Sequence, residues 1–318
     1  MSGSYQAPDV VSIGRVSVDL YASELGVGFD GQQSFTKSVG GSPTNVAVAA
    51  ARLGRRAAIV TKVGDDGFGA YIRMRLAGWG VDTTYVGVQQ GGQTPLALAA
   101  LAPPETPPVV FYRGSAAPDT TLETADLPPD LVRGCQVLWI SQGSLAQGST
   151  ASACLEWLAQ RDRAHHTVLD LDYRAALWPD RATARGLATD AIALATVVVG
   201  NREECEVAVG TGEPDAAADA LLAAGVSLAI VKLGGDGALL ATQQGRWRIA
   251  PTPVQVLCGL GAGDAFGGAL CHGLLSGWEA PVIGRLANAA GALVSTRLTC
   301  ADAMPTIDEL EPLLGAAT

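Results

Sequence analysis

The sequence predicts an α/β protein built on a mostly parallel sheet with helices on both faces, and three observations carry that prediction. Short unbroken apolar runs recur at Val10–Ile13, Ala57–Val60, Val137–Ile140, Thr167–Leu171, Thr196–Val199 and Leu228–Lys232. Strands buried on both faces read this way, whereas half-exposed strands alternate apolar and polar residues. Between most of these runs lie Ala- and Leu-rich stretches with helical spacing, among them Pro43–Leu53, Phe68–Gly78, Ser149–Arg161 and Ala216–Ala224. The chain of 318 residues is 48% hydrophobic and only 16% charged, which supplies a large core and argues against disorder. One domain over residues 1–318 is expected.

Charge and composition narrow the function. A formal charge of −10, with a pI near 4.7, excludes nucleic acid and an anionic membrane as principal partners, since both demand a basic footprint. An anionic small molecule would have to be held by local cations against the global field. The N-terminal MSGSYQAPD has no basic start and no apolar segment, and no apolar run approaches the roughly 20 residues of a membrane span. The six cysteines are scattered, with no C-x-x-C pair, and read as reduced thiols of a cytoplasmic protein.

Two segments break the strand–helix rhythm. Val16–Lys37 has mixed polarity and several glycines, and Thr94–Arg113 carries strand-like runs at Leu96–Leu101 and Val109–Tyr112 around a Pro-rich stretch, Pro103–Pro108. Proline cannot donate to a ladder, so the second segment reads as a β-hairpin with a stiff connection. The two segments form either one small β-sheet or separate surface excursions.

Two glycine-rich segments precede helical patterns. Gly259–Gly268 contains Gly261-Ala262-Gly263-Asp264 just before a helix. Small residues there let backbone N–H groups approach an anion, with the helix dipole favouring negative charge. Asp264 by itself reads equally as a helix cap. The Gly261-x-Gly263-x-x-x-Gly267 spacing loosely matches a dinucleotide fingerprint, but no strand–helix–strand unit with an acidic ribose ligand follows it. The P-loop form G-x-x-x-x-G-K-[ST] is absent. The other segment, Gly40-Gly41-Ser42-Pro43-Thr44-Asn45, opens an Ala-rich helix. Its paired glycines permit positive φ, Pro43 suits a first helical turn, and Asn45 offers a donor and an acceptor for hydroxyls. A turn with an N-terminal cap explains it as well.

These two segments, in this order and roughly 220 residues apart, resemble the two signatures of the PfkB (ribokinase-like) carbohydrate kinase family. Three further matches lie between them in family order: Gly64-Asp65-Asp66-x-Phe68-Gly69, Asn201-Arg202-Glu203-Glu204, and Lys232-Leu233-Gly234-Gly235-Asp236-Gly237. The resemblance extends from about residue 10 to residue 306. It implies a ribokinase-like three-layer α/β/α fold with a small β-sheet lid, built here from about 16–37 and 94–113, and a homodimer through that lid. It also implies an ATP- and Mg²⁺-dependent kinase that phosphorylates a primary hydroxyl. Segments at Gly14–Tyr21, Ser34–Lys37, Pro108–Ala117 and Asp170–Trp178 are similar to the branches of the family that use sugar acids.

The resemblance assigns roles residue by residue. Asp264 is the base, and the N–H groups of Gly261, Ala262 and Gly263 stabilise charge on the transferring phosphoryl group. Asp19, Gly40, Gly41 and Asn45 bind sugar hydroxyls. Arg113 and Arg174 read the acid's carboxylate, because guanidinium meets carboxylate bidentately; a surface ion pair is the alternative for either. Asn201 and Glu204 hold Mg²⁺, partly through water. Lys232, Gly234, Gly237 and Asn288 border ATP, with a helix–helix polar contact as the other reading of Asn288. Where many relatives read D-T-T-G-A-G-D, this chain has Cys258-Gly259-Leu260-Gly261-Ala262-Gly263-Asp264. The lost acid and threonine put the family's K⁺ site in question. A nucleotide-binding regulator without catalysis and an NAD-dependent oxidoreductase are the alternatives from other classes.

Overall fold

The computed structural model describes residues 7–114 and 116–315. Residues 1–6, part of the N-terminal stretch read above, and Ser115 of the Pro108–Ala117 segment lie outside the described residues. The main sheet has nine strands: β1 (Val10–Ile13), β4 (Ala57–Gly64), β5 (Val86–Gln89), β8 (Val137–Ser141), β9 (His166–Asp170), β10 (Val197–Asn201), β11 (Leu228–Lys232), β12 (Ala238–Ala241) and β13 (Arg246–Ile249). Their order is β13-β12-β11-β10-β9-β8-β1-β4-β5, and all pairings are parallel except β11–β12 and β12–β13. A second sheet, in the order β3-β2-β6-β7, joins β2 (Ser17–Ala22), β3 (Phe35–Gly40), β6 (Leu96–Ala99) and β7 (Val109–Tyr112).

The apolar runs become central strands for the reason the sequence suggests: every residue of β1, β8 and β9 but His166 is buried, because helices cover both faces. Helices Ser42–Arg52, Ala262–Leu275 and Ala280–Ser295 pack on one face. Helices Gly148–Arg161, Arg181–Leu194, Arg202–Val209 and Pro214–Ala223 pack on the other. The two irregular segments form one sheet rather than separate excursions. Each is an antiparallel pair, and parallel pairing of Val18–Tyr21 with Leu96–Ala99 joins them. The edge strands β5 and β13 are only partly buried, so they alternate in exposure instead of reading as unbroken apolar runs.

The Gly64–Gly69 turn ties the lid to the body. Asp66 caps helix Gly67–Gly78 by accepting from the Gly69 N–H at 2.7 Å. It also accepts from the Thr94 backbone N–H (2.7 Å) and hydroxyl (2.8 Å), just where the chain enters β6. Burial alone would raise the Asp66 pKa, but these donors hold it below the usual carboxylate value. Asp66→Ala removes a cap and two ties to the lid, so it should cost about 1–2 kcal/mol. Urea unfolding should show this as a lower midpoint with an unchanged slope.

Candidate active site

Four parallel strands deliver polar residues to one edge of the sheet. Arg15 follows β1, Asp170 ends β9, Asn201 ends β10 and Lys232 ends β11. Open α/β sheets bind ligands outside the carboxyl ends of their strands, and this edge is where two clefts meet.

The smaller cleft has a volume of about 280 Å³ and is lined by Asp19, Gly41, Asn45, Arg15, Arg174 and Asp264, among others. The lid contributes Ala97, Ala99, Pro107, Val109 and Phe111, so one wall is apolar and the other polar. Asp19 accepts hydrogen bonds from Ser17 Oγ at 2.7 Å and from the Tyr21 hydroxyl at 3.0 Å. Burial raises its pKa, and those two bonds together with Arg15 pull it back. Gly40 is not on the cleft surface but beneath Asp19: a Cβ there would lie about 2 Å from the carboxylate. Gly41 has φ +98°, and a Cβ on it would meet the Arg15 carbonyl at 2.3 Å. The paired glycines therefore make room for the protein's own Asp19 and Arg15 main chain, not only for a ligand.

Asn45, on the first turn of helix Ser42–Arg52, donates through Nδ2 to Asp264 Oδ2 at 2.7 Å. Its Oδ1 is buried without a partner among the described residues and is left to accept from a hydroxyl. Asp264 lies in the first turn of helix Ala262–Leu275, after Gly261 in the left-handed region at φ +82°. Burial and the neighbouring Asp172 push its pKa to about 6, against lowering by Asn45, Ser42 and Arg174. It makes no side-chain cap to its own helix, so the cap reading of Asp264 does not describe its contacts.

The larger cleft, about 720 Å³, is lined by Lys232, Gly234, Gly237, Gly263, Ala262 and Asn288, among others. Its size is that of a nucleotide-scale site. Lys232 Nζ stands 3.6 Å from Glu204 and 3.7 Å from Asp170. Burial opposes its charge, yet Glu204 and Asp170 raise its pKa, so it is a fixed cation. A Cβ at position 263 would be 3.3 Å from that ammonium, so the cation lies against the helix N-terminus that borders both clefts. The lid reaches this junction too, since Gly259 N–H donates to the Pro104 carbonyl at 2.8 Å and Glu105 and Thr106 line the larger cleft.

Several residues sit differently from their sequence-based roles. Asn201 and Glu204 form a reciprocal cap on helix Arg202–Val209: Asn201 Oδ1 accepts from Glu204 N–H at 2.9 Å, and Glu204 Oε2 from Asn201 N–H at 2.6 Å. Glu204 Oε1 has no protein hydrogen bond among the described residues, where no cluster of three acidic, His or Cys ligands occurs either. One or two carboxylates beside a phosphate site suit Mg²⁺, which keeps most of its waters. Asn288 donates to the Ala250 carbonyl at 2.7 Å, a helix-to-loop contact at the rim of the larger cleft. Arg174 lines the smaller cleft and donates to Asp172 at 2.9 Å. Arg113 does not line it, because its guanidinium is drawn into a buried ion pair with Asp119 at 2.7 Å. The sequence also left Arg15 and Asp170 without roles. Their signal was position, since both stand at the carboxyl end of an apolar strand. Burial pushes the Asp170 pKa to about 7 against the pull of Lys232.

A sugar-sized cleft and a nucleotide-sized cleft meeting at a glycine-rich helix N-terminus define a phosphotransferase with an alcohol acceptor. The pfkB family carbohydrate kinase model matches residues 7–307, and this chain belongs to that family. It is 31% identical over 314 residues to a 5-dehydro-2-deoxygluconokinase of Geobacillus thermodenitrificans, covering 96% of this chain and 93% of the relative. It is 32% identical over 311 residues to one of Shouchella clausii, covering 96% and 95%. A putative ribokinase II of E. coli in complex with ATP and Mg²⁺ superposes with a TM-score of 0.88 at 25% identity, over 97% of this chain and 99% of that one. Fructokinase of Vibrio cholerae, with fructose, ADP and calcium bound, gives 0.85 at 27% identity over 96% and 98%. The fold is ribokinase-like, with the lid as its second sheet. Among the described residues no helix is long and apolar enough to cross a membrane.

Gly40→Ala tests how the sugar cleft is built. The methyl must displace the Asp19 carboxylate from Ser17 and Tyr21. The variant should fold, and its KM for the sugar substrate should rise at least about tenfold. The KM for ATP should stay within about twofold. Steady-state kinetics with each substrate varied in turn will show the split.

Proposed function

We propose that the protein transfers the γ-phosphoryl group of Mg·ATP to the primary C6 hydroxyl of 5-dehydro-2-deoxy-D-gluconate, giving the 6-phosphate and ADP. The observation that carries this reading is the place of Asp264. It lies on the smaller cleft, bonded to Asn45, one residue after Gly263 on the larger cleft. The names of the relatives at about 30% identity supply the substrate, and Arg174 beside the cleft supplies a reason to prefer an acid over a neutral sugar.

Asp264 accepts the proton of the attacking hydroxyl. A carboxylate raised to about 6 is a better base than an ordinary one, though proton transfer still comes late as the new bond forms. Asn45 holds Asp264 through Nδ2 and offers Oδ1 to the substrate, while Asp19 accepts a second hydroxyl. The N–H groups of Gly261, Ala262 and Gly263 and the Lys232 ammonium stabilise charge on the phosphoryl oxygens. Asn201 and Glu204 would hold Mg²⁺, partly through water, with the Asn201 N–H orienting the Glu204 carboxylate, and Asp170, which also faces Lys232, would be a second carboxylate there. Bound Mg²⁺ would neutralise phosphate charge there. Cys258 and Leu260 bring no side-chain oxygen to the family's K⁺ position, which puts K⁺ activation in question; any K⁺ there would have to be held by backbone carbonyls. The apolar lid wall of Pro107, Val109 and Phe111 excludes water from the sugar. Asp19, Gly40, Gly41 and Asn45 thus form the sugar site, and Gly234, Gly237 and Asn288 the nucleotide wall. Pairing of two chains through the lid remains part of this reading.

Asp264 must be ionised to act as base, so kcat/KM should fall about tenfold per pH unit below about pH 6. Asp264→Asn should lose that acid limb and at least about 10²-fold in turnover while still binding ATP. Turnover close to wild type in Asp264→Asn would remove it from the role.

Substrate choice is tested by ADP release with 5-dehydro-2-deoxygluconate, 2-dehydro-3-deoxygluconate, fructose and ribose. The first should give the highest kcat/KM. The second acid is the nearest competitor, because Arg174 serves either carboxylate. ADP from none of the four would favour a nucleotide-binding regulator.

A further inference from the structure

Behind the smaller cleft lies a row of alternating charges that none of the assigned roles explains. Arg174 Nε bonds Asp172 Oδ1 at 2.9 Å, and Arg15 bonds the other oxygen of the same carboxylate at 2.5 Å. Arg15 lines both the smaller cleft and a cavity of about 10 Å³ that it shares with Asp119 and Arg113. Asp119 accepts from Arg113 at 2.7 Å and from the Val16 N–H at 3.0 Å, next to Arg15 in the chain. The sequence of groups is Arg174, Asp172, Arg15, Asp119, Arg113.

All but one of these side chains are shut away from solvent. Asp119 and Asp172 are 0% and 4% exposed and Arg15 and Arg113 9% each, whereas Arg174 is 48% exposed and opens on the cleft. Asp172 stands between two guanidiniums and Asp119 is paired with one, while Arg15 reaches Asp119 through its charge across the cavity they share. Of this row, Arg15 and Arg174 line the smaller cleft. Each gives one bond to Asp172, so an anionic ligand group there can take donors that Asp172 leaves free. The two guanidiniums also offset Asp19 and Asp264, which line the same cleft and would repel an acid. Burial raises Asp119, which Arg113 and Arg15 pull back down, so the far pair and Arg15 act on each other.

We propose that Arg15 is a specificity-determining residue: with Arg174, and oriented on Asp172, it forms the end of the cleft that takes the substrate's carboxylate. Asp119 and Arg113 act on Arg15 from behind through charge, across the cavity the three share. This rests on the sugar-acid reading given above. It moves Arg113 from direct contact to indirect action, and it adds a cation the sequence did not single out.

The test compares kcat/KM on 5-dehydro-2-deoxygluconate with kcat/KM on fructose, a neutral sugar, in the wild type, Arg15→Met, Arg15→Lys and Arg113→Met. In Arg15→Met the acid-over-neutral preference should drop at least about 30-fold, with Arg15→Lys recovering part of it because the charge returns without the planar fork. Arg113→Met should lower the same preference by a smaller factor. Thermal melting of each variant separates misfolding from altered preference, and Arg15→Lys carries the test if Arg15→Met does not fold. An equal loss on both substrates, or an unchanged preference, would overturn the proposal. A wild type that phosphorylates fructose and no acid would instead defeat the sugar-acid reading itself, before any variant is made.

Discussion

The site depends on how closely two helices approach each other. Helix Ser42–Arg52 carries Asn45 and helix Ala262–Leu275 carries Asp264, and their 2.7 Å bond requires the helix axes to lie nearer than ordinary side chains allow. Gly268 supplies the room, since a Cβ there would lie 2.3 Å from that of Ala49. Gly267 does the same against Trp139 of the sheet, at 2.7 Å. Close-packed interiors resist compression, so a methyl at either position would displace Asp264 from Asn45. The glycines after Asp264 thus belong to the packing of the site, while those before it belong to the anion-binding turn.

Around that contact the charges are organised by burial. Lys232 is held between Glu204 and Asp170 at the edge of the larger cleft, and Asp172 is held between Arg15 and Arg174 at the edge of the smaller one. The arginines keep Asp172 ionised despite its burial. That fixed anion in turn helps raise Asp264. The same carboxylate therefore orients Arg15 and Arg174 on the smaller cleft and tunes Asp264, and under the proposed function it links recognition to chemistry. The lid joins the arrangement through the Pro104 carbonyl on the Gly259 N–H, so the lid and the loop before Asp264 share a hydrogen bond.

The sequence by itself determined the fold class and the central strands, because burial on both faces writes itself as unbroken apolar runs such as those of β1, β8 and β11. It also determined both glycine-rich turns and, through their order, the family. Most site residues were legible because they lie within those turns or end a strand. What only the tertiary structure decided was pairing. Arg113 and Arg174 look alike in the sequence, yet a buried Asp119 takes one behind the cleft and Asp172 leaves the other facing it. Arg15 and Asp170 gained their positions from parallel strands that are distant in sequence, and Asn201 and Glu204 turned out to cap a helix, with Glu204 beside Lys232. Local pattern reports what a residue is and which face of an element it occupies. Which charge it meets is decided only when the sheet assembles, even where the partner is near in the chain, as Asp119 is to Arg113, and all the more where it is far, as Asp172 lies 157 positions from Arg15.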